Sequence, residues 1–511
     1  MQKDILQKSA HAAKYMVIFR VLSQVVTLGV TIMLVRGLSQ HDYGVYNLLY
    51  SIIGLFSIIA SFGIANTLQR YMPEYYRRGE FRIANNLYRL ASTIRLVSNA
   101  VVLGLLLIFW DHLAHLLKIG EYRDYFMLFC VIVLLYMQRG ILEVCLGAYF
   151  LQKSAQGLAF AFELIRGVGY VAAILTGMNL WRVLLVDLAA YAVLFAGLQM
   201  VYRVKIPKHE GTMDRIEGAE KKRLWRYALF YNFNDAGVGL IKPDIDYFLI
   251  AYFFNPAQVA AYAFCQRTAK LLGKALPVKY LIDVVRPAFF AAGTEMDAAG
   301  INRIFQLLLK SSYLVNIPVF CFIASFGDHF IQIVFGSQYV PYARVLAAVC
   351  FFRLASGFDI PVNLVAQLEE KADVILYSKI FAVYNLIADI ILIRYFGIWG
   401  AVVATGTAVF GKNFFIWWYV RDLANLKGMG PFMIKTVGFW TVTALAVGAV
   451  SRYIPGHLVS LLIGASVFGL AFMLQFRMTL FSEQDKHWLQ KAGQGSRRGA
   501  YFLKLFRLQP A

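Results

Sequence analysis

The sequence predicts an all-helical, polytopic membrane protein of about fourteen spans, built as two six-helix lobes in parallel repeat plus two C-terminal helices. Three observations carry this expectation. The 511 residues are 59% hydrophobic against 15% charged, with a mean hydropathy of +0.60, far more apolar than a soluble domain that must present a polar surface. Apolar segments of bilayer-crossing length recur along the chain without the period-2 alternation of a transmembrane barrel. The two halves of the chain also echo one another.

The spans are expected near 15–36, 43–65, 88–110, 125–150, 157–177, 180–202, 228–253, 257–278, 304–326, 341–366, 374–395, 397–420, 433–451 and 457–476. Each holds about 20 mostly apolar residues, the length that crosses the hydrocarbon core as a helix. The first follows Lys3, Lys8 and Lys14, lacks a small-residue cleavage site and is too long for a signal h-region, so it reads as a retained span. The five cysteines, Cys130, Cys145, Cys265, Cys321 and Cys350, all fall in apolar stretches without C-x-x-C spacing. They suggest neither a disulfide framework nor a zinc site.

An even number of spans puts both termini on one side. The two tails and the loops on their side hold +14 of the net charge of +21, and the spans hold +5. The positive-inside rule then makes both termini cytoplasmic. The richest cytoplasmic loop, Arg203 to Tyr227, contains Lys221-Lys222-Arg223 and separates the halves.

The echo begins at Leu38-Ser39-Gln40-His41-Asp42-Tyr43-Gly44-Val45-Tyr46, after the first span, and returns at Phe254-Asn255-Pro256-Ala257-Gln258-Val259-Ala260-Ala261-Tyr262, after the seventh. Tyr46 and Tyr262 stand 216 positions apart. A second echo pairs Gly177 and Trp181 with Gly397 and Trp399. Six helices per repeat make the repeats parallel, as in transporters that rock two halves about a central site. The expected organisation is a lobe over 1–202, a basic cytoplasmic linker over 203–227, a second lobe over 228–420, two further spans over 421–476 and a basic cytoplasmic tail over 477–511. That tail ends in Tyr501-Phe502-Leu503-Lys504-Leu505-Phe506-Arg507-Leu508, a mix of aromatic, aliphatic and basic residues suited to an inner leaflet or to a frayed polar end.

The runs Leu38 to Tyr46, Tyr71-Met72-Pro73-Glu74-Tyr75 and Phe396-Gly397-Ile398-Trp399-Gly400-Ala401 resemble the polysaccharide-export (Wzx-type) flippases of the multidrug/oligosaccharidyl-lipid/polysaccharide exporter superfamily. The resemblance covers the whole chain through diffuse motifs. It implies a V-shaped pair of lobes around a cavity. It further implies movement of undecaprenyl-pyrophosphate-linked oligosaccharide, such as an O-antigen, capsule or exopolysaccharide repeat unit, from the cytoplasmic to the outer leaflet of a bacterial inner membrane. The implied partners are the lipid-linked oligosaccharide, membrane lipids, a polymerase and other polysaccharide-assembly proteins, with no nucleic acid.

Charges inside the spans carry the rest, because each costs about 2.5 to 3.5 kcal/mol at a helix centre and so faces protein or a wet cavity. Arg139 and Glu143, Lys242 and Asp246, and Glu163 and Arg166 are spaced to neutralise themselves on one helix face. In the eighth span Arg267, Lys270 and Lys274 have no acid at ion-pair spacing and lie within about 60° of one another. Such a cationic stripe suits a translocating pyrophosphate. The plain alternative is that the lysines snorkel and Arg267 pairs with Asp359 or Asp235.

Arg20 and Arg95 are the first-lobe cations without local acids, and they complete the expected substrate-binding set. Arg353 and Lys412 are weaker candidates of the second lobe. The seventh span is polar and broken by Pro243, so Asp235, Asp244 and Asp246, with Asp359, are candidates for proton or sodium coupling. An outward-facing vestibule explains Asp244 and Asp246 as well. Asp187 and Asp389 are buried acids of unknown partner.

No cofactor or metal is expected. The run Gly406 to Asn413 misses the phosphate-binding loop by Asn in place of Ser or Thr and by lying in an apolar helix. His112 and His115 lack a third ligand. A multidrug exporter of the same superfamily is disfavoured by a cationic interior that repels organic cations. A membrane glycosyltransferase, ligase or polymerase needs larger external loops than 111–124 and 327–340. The chain reads as a transporter rather than an enzyme.

Overall fold

The computed structural model describes residues 19, 22–59, 62–149, 151–206, 218–239, 243–274, 297–451, 453–454 and 456–475. Among them there is no β-strand, and a helix falls on each of the fourteen expected segments. Nine of these helices are long and apolar enough to cross a membrane by length and composition. The chain divides into two compact units, 1–263 and 264–511.

The first unit begins with α1 (Leu22–Gly37) and α2 (Gln40–Ile59). Two features of the Leu38 to Tyr46 motif now have physical causes. The Ser39 hydroxyl accepts from the backbone N–H of Asp42 at 3.0 Å and so caps the start of α2. Gly44 sits where a Cβ would overlap the carbonyl of Pro256, so only glycine lets the two backbones approach. The echo repeats the cap: Asn255 Oδ1 accepts from the N–H of Gln258 at 3.0 Å, with Pro256 as the first residue of α11 (Pro256–Lys274).

The second expected span, 43–65, is not one helix. After α2 the chain turns through Phe62 and Gly63, both at positive φ, and continues as α3 (Ile64–Arg78). A Cβ on Gly63 would overlap the carbonyl of Ala228. The Tyr71 to Tyr75 run therefore lies within a helix rather than after one. Glu74 reaches Arg78 at 2.6 Å and Arg70 at 3.4 Å, an i±4 ladder that sustains a polar helix. Gly79, at φ 74°, ends it with paired C-terminal hydrogen bonds from Gly79 and Glu80.

The seventh segment is broken too, into α9 (Gly218–Gly239) and α10 (Pro243–Phe253). Both pieces pack along α2, and α9 also packs against α3. The remainder of the unit is α4 (Phe81–Ile108), the short α5 (Trp110–Leu117), α6 (Arg123–Ala148), α7 (Gln152–Leu175) and α8 (Leu180–Lys205). The α7–α8 turn uses Gly177 at φ 91°, an Asn179 cap on Arg182 N at 2.9 Å, and the Arg182 guanidinium donating to the carbonyls of Thr176 and Gly177.

The second unit is organised around α12 (Ala298–Val334), 37 residues long and capped by Asp297. Packed on it are α13 (Ala343–Leu368), α17 (Met429–Ser451) and α18 (His457–Gln475). A buried polar lock ties three of them: Trp440 Nε1 donates to Gln475 Oε1 at 3.0 Å, and Gln475 Nε2 donates to the Leu314 carbonyl at 3.3 Å. The short α14 (Ala372–Tyr377) leads into the hairpin of α15 (Ile380–Phe396) and α16 (Ile398–Val420). This hairpin turns at Gly397, φ 56°, the counterpart of Gly177 in the second echo. Outward faces carry large apolar side chains such as Leu175, Ile434 and Leu445. A soluble protein does not expose so many; here they meet lipid.

Candidate functional site

In the first unit Asp187 is the centre of a network of interior charges and tyrosine hydroxyls. Asp187 of α8 is fully buried, and its carboxylate accepts from Arg166 Nε at 2.8 Å, Tyr170 at 2.6 Å, Tyr50 at 2.9 Å and Tyr46 at 3.0 Å. The acid of unknown partner thus has four donors. Arg166 Nη2 also donates to the hydroxyls of Tyr46 and Tyr170. The Glu163–Arg166 pair does form, but at 3.4 Å, longer than the bond from Arg166 to Asp187. Spacing along one helix identified the weaker partner because it cannot see across to α8. Arg139 and Glu143 pair at 2.9 Å as expected, with the guanidinium over the rings of Tyr136, Phe162 and Tyr191.

The repeat has a parallel in chemistry. Tyr262 lies seven residues beyond its cap, as Tyr46 does beyond Ser39, and donates to buried Asp246 at 2.5 Å. Each echo tyrosine thus holds a buried aspartate of another helix. Asp244, half-buried at the start of α10, lies where a side chain on Gly54 would strike it.

Arg95 of α4 is half-buried and donates to the Met137 sulfur at 3.0 Å. Its Nε is buried without a hydrogen-bond partner, and no carboxylate among the described residues pairs with it. Arg20 and Lys242 lie outside the described residues, as do the side chains of Asp235 and Lys274.

Residues 264–274, the part of α11 in the second unit, continue as one uninterrupted helix through Lys274, so positions 267, 270 and 274 do share a face. Arg267 is half-buried and Lys270 exposed. A Cβ on Gly273 would lie 2.9 Å from Arg353 Nη2, so the absence of a side chain there seats the guanidinium of α13 against α11. Gly273 is about 60° from Lys270 around the helix. Arg353 has no carboxylate partner among the described residues and joins the flank of the stripe. The sequence marked Arg353 as an interior cation but held nothing to bring α13 to α11.

Asp359 is engaged elsewhere: Lys412 Nζ donates to its Oδ1 at 2.6 Å, and Asn363 at 3.2 Å. Asp389 is fully buried and accepts from Asn385 at 2.6 Å. No group of three or more metal-binding side chains occurs among the described residues. The arrangement offers an acid-centred network around Asp187 in the first unit and a cation-rich helix face on α11, a type of surface suited to hold and release an anion.

Relatives agree with this architecture. The chain is 22% identical over 424 residues to the probable low-salt glycan biosynthesis flippase Agl15 of Haloferax volcanii, covering 83% of this chain and 84% of that one. Its fold matches the lipid II flippase MurJ in an inward closed conformation, with TM-score 0.67 and 13% identity over 90% of this chain and 98% of that one. It also matches an inward-facing multidrug resistance transporter of the MATE family, within the MOP superfamily, with TM-score 0.59 and 13% identity over 78% and 94%. These relatives are transporters and flippases, in line with the expectation of a transporter rather than an enzyme. Residues 33–344, more than half of the chain, match one family profile: the protein belongs to the polysaccharide biosynthesis protein family.

Proposed function

We propose that this protein flips an undecaprenyl-pyrophosphate-linked oligosaccharide from the cytoplasmic to the outer leaflet of the cytoplasmic membrane, by alternating access of the lobes 1–202 and 228–420. The observation that carries the reading is the cationic face of α11, with Arg267 and Lys270 on one stripe and Arg353 seated at its flank. A pyrophosphate presents several acceptor oxygens and at least two negative charges. Guanidinium groups bind such oxygens through paired, planar hydrogen bonds, and a lysine supplies a mobile point charge. Arg267 lies eleven residues into α11, about 16 Å along its axis, near the middle of a hydrocarbon core about 30 Å thick. Cations spaced along that axis let the headgroup exchange partners without meeting bare hydrocarbon, while the prenyl tail stays in lipid.

Asp246 and Asp244 are the proposed ion-coupling residues. Protonation of Asp246 would convert its bond from Tyr262 into a neutral one and loosen the hold of α10 on α11. Both termini are proposed to be cytoplasmic, and the polymerase that extends the glycan is the proposed functional partner.

The test is transport by the purified protein in proteoliposomes, comparing a fluorescent lipid-pyrophosphate oligosaccharide with a fluorescent organic cation. The lipid-linked sugar should be moved and the cation not. Transport of the cation alone would make the chain a drug exporter.

A further inference from the structure

The first unit contains a cavity of about 300 Å³ among α3, α4 and α9 that the transport reading does not use. Its walls are mainly apolar, with Phe62 and Leu68 from the α2–α3 region, Leu90 and Ala91 from α4, and Leu224 from α9. Its polar lining is confined to Thr67, Asn86 and Lys221. On the other side of Lys221 and Trp225 runs a shallow groove floored by α9, which adds Lys222 and Arg226. Slot and groove thus meet at one residue pair, Lys221 and Trp225.

Arg223, between these cations in sequence, is exposed and lies over the Tyr71 ring, 5.2 Å from its centroid. Lys221 and Lys222 are exposed. Trp225 is 38% exposed, as suits an indole at the level of lipid headgroups.

We propose that this site holds one anionic glycerophospholipid, an acyl chain in the slot and the phosphate against Lys221 and Lys222. The charge chooses an anionic headgroup over a zwitterionic one, because each lysine near the membrane surface favours an anionic lipid by about fivefold. The lining chooses a phospholipid over a lipid-linked glycan. A sugar chain needs a polar wall for its hydroxyls, and three polar side chains do not make one. A lipid wedged there would brace α9 against α3 and α4 next to the break at Gly63.

Native mass spectrometry of the whole protein, titrated with phosphatidylglycerol and with phosphatidylcholine of the same chains, tests the site. The natural chain should retain phosphatidylglycerol at least fivefold better. Lys221→Ala with Lys222→Ala should reduce that preference to near unity. Ala91→Phe, which fills the slot, should lose one bound lipid of either headgroup and the thermal stabilisation that phosphatidylglycerol confers. Equal retention of the two lipids by the natural chain overturns the proposal, as does an unchanged preference in the lysine variant. Displacement of a lipid-pyrophosphate sugar, rather than phosphatidylglycerol, by Ala91→Phe overturns it too. Should Ala91→Phe fail to fold, the surface lysine variant decides alone.

Discussion

Replacing Asp187 by alanine isolates the network that fastens α2, α7 and α8. The carboxylate is fully buried and accepts four hydrogen bonds between 2.6 and 3.0 Å, one of them from Arg166. Its removal leaves a guanidinium 12% exposed with only Glu163, at 3.4 Å, as a carboxylate partner. Stranding a buried charge costs about 3 to 5 kcal/mol. Three tyrosine hydroxyls also lose an acceptor, although Tyr46 and Tyr170 keep contacts with Arg166, so their costs do not simply add. A loss near the upper end of that range corresponds to a fall in apparent melting temperature on the order of 10 °C for a unit of this size. Thermal unfolding in detergent, followed by tryptophan fluorescence at a fixed scan rate, measures it. Tyr50→Phe, which removes one donor, should cost only about 0.5 to 1.5 kcal/mol. The pair Arg166→Met with Asp187→Leu should recover part of the loss, because the buried guanidinium is no longer stranded, although Glu163 then loses its ion-pair partner. A melting temperature for Asp187→Ala within 1 or 2 °C of the natural chain would refute the reasoning.

The remaining predictions concern other parts of the chain. Gly63→Ala should be far more damaging than Gly79→Ala. Both residues have positive φ, worth about 1 to 2 kcal/mol in a non-glycine residue, but only Gly63 is pressed against a backbone carbonyl while Gly79 faces open space. Paired melting curves check this, and equal effects would contradict the close approach of α9. Tyr262→Phe should lower stability by about 1 to 3 kcal/mol by depriving buried Asp246 of its hydroxyl donor, whereas Tyr252→Phe, at an exposed ring, should be silent. The five cysteines are free and buried, so maleimide should label them only slowly in the native protein and completely after unfolding. Rapid native labelling of Cys145 or Cys265, both fully buried, would count against the packing described.

Much of the fold was legible because hydrocarbon allows few alternatives: a long apolar run must be a helix with its backbone satisfied internally. The echo at Ser39 to Tyr46 and Asn255 to Tyr262 was legible as repetition, and its meaning emerged only in three dimensions. One residue caps a helix, and a tyrosine two turns later grips a buried aspartate. The break at Gly63 was not legible, because a glycine in an apolar run looks the same whether it packs within a helix or turns between two. The partner of Asp187 was hidden for a related reason. Periodicity reports neighbours on one helix, and Arg166 takes its nearest carboxylate from the next helix. Arg353 shows the same limit at the candidate site, since only the bare backbone of Gly273 explains why its guanidinium lies beside α11.

The claim on which the account rests is that the cationic face of α11 handles an anionic, lipid-borne cargo. Translocation of a fluorescent lipid-pyrophosphate oligosaccharide by Arg267→Ala in proteoliposomes tests it most directly, with Arg267→Lys and Arg353→Ala alongside. A charge-assisted contact is worth about 1.5 to 3 kcal/mol, so Arg267→Ala should lose at least tenfold in rate. Arg267→Lys should retain part of it, and Arg353→Ala should fall between the natural chain and Arg267→Ala. Transport by a stably folded Arg267→Ala at the rate of the natural chain would contradict the account.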